Sequence, residues 1–206
     1  MIRGKLTSKN VYVRILWFAI LFLVIFFGAT IISHYILPEG FLKNANTTRD
    51  FDISSNIWLV ALKIFSFNLI SVIVIMIGSI FAKKNNENEE YLSIAYTCFI
   101  VLVLINGITL GTWSFSTDAP SIPIIERITS MFQITEHAGL LEMFGQLLIT
   151  CVMADKYIVM TYKKQTITRH VRDVLWTKRD ILLLLLGIIL MFVGAWIESR
   201  SLMTIG

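Results

Sequence analysis

Residues 11–37 read VYVRILWFAILFLVIFFGATIISHYIL, an apolar run broken only by Arg14 near its start and His34 near its end. A helix needs ~17–25 such residues to cross the hydrocarbon core of a bilayer. The run is too long for the apolar part of a signal peptide and carries no small-residue cleavage site, so it reads as a retained anchor. Three further runs have the same character: Ile57 to Ala82 with Lys63 inside it, Tyr91 to Phe115, and Ile181 to Ile197. Between the last two lies Met131 to Tyr162, equally long but containing Glu136, His137, Glu142, Gln146 and Asp155. Its weakly apolar front, Ser121 to Thr135, follows Pro120 and Pro123 and reads as a short re-entrant or interfacial helix, with the true span starting near His137.

The expectation is an all-α polytopic integral membrane protein. Residues 1–206 form a single transmembrane domain with about five spans, at 11–37, 57–82, 91–115, 137–162 and 181–197. Helices are preferred because lipid offers no partner to a backbone polar group, and barrel strands would be shorter and alternate in polarity. Composition agrees: 56% of residues are hydrophobic and 16% charged, against about a quarter charged in soluble domains. The net charge of +4 comes from short basic blocks between apolar runs, without the stripe that nucleic-acid binding requires. Cys98 and Cys151, the only cysteines, both fall in apolar stretches, which argues against a disulfide framework or a cysteine zinc site.

Basic residues orient the chain, since cytoplasmic loops collect them. An inside N-terminus places Arg3, Lys5, Lys9, Arg14, Lys83, Lys84, Lys156, Lys163, Lys164, Arg169, Arg172, Lys178 and Arg179 in the cytoplasm, leaving Lys43, Arg49, Arg127 and Arg200 outside. The reading is a bacterial cytoplasmic membrane protein with its N-terminus inside and C-terminus outside. Arg14 and His34 sit at span ends, where polar groups cost little. Between Thr166 and Trp176, the residues Ile167, Val171, Val174 and Leu175 recur at helical spacing. This predicts an amphipathic helix, either lying on anionic inner-leaflet lipid or docking a cytoplasmic partner such as an ATPase through Arg169, Arg172 and Trp176.

Ionisable groups at membrane depth usually face the protein interior and mark function. The topology sets His137, Glu142, Glu198 and Asn106 in the outer half of the bilayer, with Asn68 nearer the middle and Glu136 beside His137. A polar cluster facing outward is the expectation. At ~100° per residue, His137 and Glu142 stand about 140° apart on an ideal helix, so they share a face only if Gly139 bends it or His137 caps it. Three chemistries fit: a divalent metal such as zinc activating water, a desolvated glutamate in acid–base work, or a buried hydrogen-bonded network that locks helix packing. Gly107 and Gly111 form a small-xxx-small pair suited to close packing.

The same residues carry a family resemblance. Asn68 in Phe-Asn-Leu-Ile with Gly78, Asn106-Gly107 with Gly111, the set His137, Gly139 and Glu142, and Ala195-Trp-Ile-Glu198 follow one another in the chain. In that order they resemble the stage II sporulation protein M family of multispan membrane proteins, over roughly residues 55 to 200; Glu136 departs from the proline frequent before the family's histidine. The resemblance implies either a membrane scaffold of the sporulation engulfment machinery or a short member of a circular-bacteriocin cluster. In the latter, such a chain accompanies an ABC-type ATPase and other membrane subunits in maturation, export or self-immunity of a hydrophobic peptide. The expected function is a subunit of that second kind. An intramembrane peptidase or ligase near the outer leaflet, built on His137, Glu142 and Glu198, is the alternative.

Overall fold

The computed structural model describes residues 2–43, 56–115, 121–132 and 138–205. The described chain is mostly helical: α1 (Ile2–Leu6), α2 (Val11–Ile36), α3 (Ile57–Ser79), α4 (Ala95–Gly111), α5 (Ile124–Ser130), α6 (Gly139–Met153) and α7 (Lys178–Ile205). Three helices, Val11–Ile36, Ile57–Ser79 and Lys178–Met203, are long and apolar enough to cross a membrane; Ala95–Gly111 and Gly139–Met153 are apolar but shorter. Helix starts are fixed by side chains that satisfy otherwise orphaned amides. Asn10 and Asn56 accept from the amides of Tyr12 and Trp58, each at 3.0 Å. Thr177 and Asp180 bond each other's backbone N–H groups at the head of α7, a reciprocal capping box. α2 stops at Ile36 because Pro38 follows Leu37.

The all-α expectation is corrected by four short strands: β1 (Phe81–Lys84), β2 (Leu92–Ser93), β3 (Val159–Tyr162) and β4 (Gln165–Thr168). They form one sheet in the order β2-β1-β3-β4, with β1 and β3 parallel and both outer pairings antiparallel. The expected spans 57–82, 91–115 and 137–162 were therefore too long at the ends that meet the sheet. Phe81, Ala82, Leu92, Val159 and Met160 are apolar enough to prolong a helical run, yet they pair as strands instead. The short helix expected before the fourth span is present as α5. The amphipathic helix expected over Thr166–Trp176 is not: that stretch holds β4 and a single 3₁₀ turn at Val171–Asp173.

The sheet gathers one end of every long helix. β1 leaves α3 and β2 leads into α4, while β3 follows α6. Arg14 at the start of α2 and Asp180 at the start of α7 both bind residues just past α6. The five helices consequently alternate in direction. α6 is the central one, buried over most of its length and packed on α2, α3, α4 and α7. Its seam with α7 is narrow because glycines face each other: a Cβ on Gly187 would meet the Gly145 carbonyl oxygen at 2.7 Å and Ile149 at 2.9 Å. The α2–α4 seam is built likewise, with Gly107 against Phe26 and Ala29 and Gly111 against Thr30 and Ser33, as their spacing predicts. Phe18, Phe22, Phe26, Tyr96 and Phe99 fill the core between α2 and α4.

Candidate functional site

Glu142 stands in the first turn of α6, at the bundle end away from the sheet, and is only 7% exposed. It is seated by Gly194 of α7, where any Cβ would collide with the Glu142 side chain. Glu198 lies one helical turn beyond Gly194 on α7, on the side of that helix that Gly194 turns toward Glu142. From α3, the Asn68 amide approaches the Glu142 carboxyl without reaching hydrogen-bond geometry: Asn68 Nδ2 and Glu142 Oε1 are both buried with no partner. Three helices thus bring two glutamates and an amide to one end of the bundle. Toward the sheet, Gln146 and Thr150 continue a buried polar line along α6, at 5% and 0% exposure.

Two of the expected members need separate statements. Asn106 does not join the cluster: its side chain is exposed and its amide donates to Leu102 O of its own helix at 2.9 Å. Helix rotation decides this, since the neighbouring Gly107 is the residue turned onto α2. Glu136 and His137 lie outside the described residues, so the site consists here of Glu142, Glu198 and Asn68. Among the described residues, no three of His, Cys, Asp or Glu gather as metal ligands.

The sequence reading missed a polar clamp at the sheet end. Arg14 is 2% exposed, not a charge reaching for water at a span end. It donates to Ser8 O at 2.7 Å and to Cys151 O at 3.0 Å, and pairs with Asp155 at 3.2 Å. The Cys151 oxygen is one of the carbonyls a helix C-terminus leaves unbonded, which explains why an arginine is held there. Lys156, also buried, binds Asp180 Oδ2 at 2.9 Å, Asp155 Oδ1 at 3.0 Å and Leu175 O at 2.9 Å. Together these bonds tie α2, α6 and α7 at one level. A signal existed: Thr177-x-x-Asp180 is a capping-box pattern, and it marks Asp180 as a fixed carboxylate facing the preceding helix end.

A second buried arginine serves the opposite end. Arg127 of α5 donates to Gly111 O at 2.6 Å, Ile122 O at 2.7 Å and Glu39 Oε1 at 2.9 Å, and stacks over Trp113 at 5.0 Å. It thereby binds the C-terminal carbonyls of α4 to the segment after α2. The Ser121 hydroxyl and the Arg127 guanidinium hold the Glu39 carboxyl below its ordinary range.

Of the residues expected to dock a partner, Arg169 turns inward, donating to Asp155 O at 2.8 Å and stacking on Tyr157 at 4.7 Å. Arg172 is exposed. Trp176 is 47% exposed and has the Lys156 ammonium 5.3 Å from its ring. With Ile167, Val171 and Leu175, Trp176 forms a run of exposed apolar side chains beside β4, an edge strand exposed along its whole length. Compared with protein-family models, curated proteins and solved structures, the chain matches none.

Proposed function

We propose that this chain is a five-span subunit of the bacterial cytoplasmic membrane, with its sheet in the cytoplasm and its C-terminus outside. It works with an ABC-type ATPase in the maturation, export or self-immunity of a hydrophobic peptide. Five helices of alternating direction support the span count. α4 and α6, at 17 and 15 residues, are about 26 and 23 Å long at 1.5 Å per residue, and flanking segments would complete each crossing. Orientation rests on the basic residues, which concentrate at the sheet end. The resemblance to the stage II sporulation protein M family, and with it the peptide and ATPase setting, belongs to this proposal.

The observation that carries the reading is the exposed edge strand β4 with its neighbouring apolar run at the basic end. Exposed strand edges invite pairing with another chain, and an unfilled apolar run beside one suits a protein partner. Leu175, at 81% exposure, is the residue to change. Leu175→Glu combined with Arg172→Glu should abolish co-purification with a co-expressed ABC-type ATPase, while thermal unfolding stays unchanged. Undiminished assembly defeats the docking reading. A cysteine at Lys163 should react with an impermeant thiol reagent only from the cytoplasmic face.

One observation favours a second reading, an intramembrane peptidase or ligase: two carboxyls meet within the bundle. Glu142→Ala, or His137→Ala, should then abolish the peptide product in a chain that remains inserted. Normal product removes the catalytic reading and leaves the subunit reading untouched.

A further inference from the structure

The rotation of α4 that keeps Asn106 out of the glutamate cluster leaves its carboxamide on the outer surface of the bundle. Its depth follows from Gly107, whose Cβ position abuts Phe26 and Ala29 of α2. α2 runs 26 residues from Val11 to Ile36, so those contacts lie about 4–8 Å from its midpoint at 1.5 Å per residue. A hydrocarbon core reaching ~15 Å either side of its centre encloses that level. A carboxamide carries two N–H donors and an oxygen with two lone pairs. One donor goes to Leu102 O of the same helix, at 2.9 Å; among the described residues nothing on another helix meets the rest. Lipid tails offer no replacement. The neighbours of Asn106 extend the same face. Leu102, Ile105 and Thr109 follow at intervals of three and four residues, the spacing at which one helix lays a seam along another. Ile105 is 49% exposed, and the Thr109 hydroxyl turns back to Ile105 O of its own helix at 2.9 Å. The opposite side of α4, with Phe99, Val103, Gly107 and Leu110, is already buried in the bundle.

We propose, resting on the five-span reading above, that this face of α4 packs against the same face of a second copy of the chain, with the two Asn106 carboxamides bonded to each other. Two features select a second copy over a different helix. Copies inserted in one orientation, and related by a twofold axis along the membrane normal, carry Asn106 to identical depths, so the amides meet without further adjustment. A carboxamide also holds donor and acceptor together and so complements its own kind. A helix of another sequence must bring its own polar group to that level. A single asparagine at such a seam fixes register and the number of helices. The seam lies toward the end of α4 away from the sheet, so pairing leaves β4 and its apolar run free for the proposed ATPase.

Single-molecule photobleaching of the fluorescently labelled full chain in liposomes, over a range of protein-to-lipid ratios, reads the stoichiometry. The wild type should pass from one bleaching step to two as density rises. Asn106→Leu, a change on the outer surface of the bundle, should need roughly tenfold higher density, as loss of an interhelical bonded pair entails. Asn106→Gln should stay close to wild type. Position 105 identifies the occupant: with a benzophenone amino acid in place of Ile105, irradiation of cell membranes should give an adduct of twice the 23.5 kDa chain. A chain that stays monomeric at every density, an Asn106→Leu variant that pairs like wild type, or an absent adduct overturns the proposal. So does an adduct of any other mass, which would make the occupant a different subunit or a bound peptide. Asn106→Cys, in a chain with Cys98→Ser and Cys151→Ser, separates the two readings. Its reaction with an impermeant maleimide overturns the five-span reading and this pairing together, whereas protection alongside any of the failures above overturns the pairing alone.

Discussion

Arg14→Met would remove a cation from the interior of the sheet end while keeping most of the side-chain volume. Two bonds from a charged donor are lost, to Ser8 O and Cys151 O, each worth about 1.5–3 kcal/mol. The ion pair with Asp155 contributes less, because that carboxylate is 41% exposed and solvent screening reduces such pairs to about 0–1 kcal/mol. The sum is roughly 3–7 kcal/mol, and its lower part overlaps the ~3–5 kcal/mol found when one partner of a buried charged contact is removed. Asp155→Asn should cost about 1 kcal/mol or less, since Arg14 keeps both carbonyls and Lys156 keeps Asp180. Unfolding in mixed lipid–detergent micelles, followed by circular dichroism against denaturant, measures both. If Arg14→Met falls within about 1 kcal/mol of wild type, or Asp155→Asn costs as much as Arg14→Met, the carbonyl-capping role assigned to Arg14 is wrong.

Gly187→Leu should separate α6 from α7 and cost at least the ~1–3 kcal/mol of an overpacked core, lowering the melting temperature; Gly28→Ala, whose Cβ meets nothing within 4 Å, is the tolerated control. Lys163→Gly should stabilise the β3–β4 hairpin by about 1 kcal/mol in the same unfolding assay. Lys163 opens a two-residue turn at φ +52°, a left-handed conformation costing roughly 1–2 kcal/mol for an L-residue. The depressed Glu39 gives a pH dependence with a definite sign: its contribution is present above the ordinary glutamate value of 4.5 and is lost as pH falls through its lower folded value. Tryptophan fluorescence, which reports Trp113 stacked on Arg127, should change below pH 4.5 in wild type and lose that change in Glu39→Gln.

Hydropathy located all five apolar helices, and Pro120 and Pro123 just ahead of α5 marked where that short helix begins, because both signals are local. The sheet was hidden for two reasons. β1 pairs with β3 far along the chain, and no periodicity within either four-residue strand reveals a partner so distant. β3 and β4 were more accessible: Val159, Thr161, Thr166, Ile167 and Thr168 favour strands, and only two residues separate the pair. The helical spacing of Ile167, Val171 and Leu175 obscured that signal, since residues four apart suit a helix and also suit an extended segment followed by a tight turn. In the candidate site, depth along the helices is what set Glu142, Glu198 and Asn68 at comparable heights. Depth fixes height but not rotation, so it gave no warning that Asn106 faces away. Arg14 and Arg127 were read as topology charges because sequence shows where a cation falls along a span, not which carbonyls wait beside it.

The parallel pairing of β1 with β3 constrains how the chain is made. Ala82 and Thr161, in contact across these strands, stand 79 positions apart, so β1 emerges from the ribosome long before its neighbour exists. In the interval it can pair only with β2, and its other edge stays bare while α4, α5 and α6 are being made. Closure then happens late, when β3 slots in beside β1 and brings the hairpin with it. A nascent chain arrested before Val159 would carry an unsealed strand edge, a natural handle for quality-control proteases to seize.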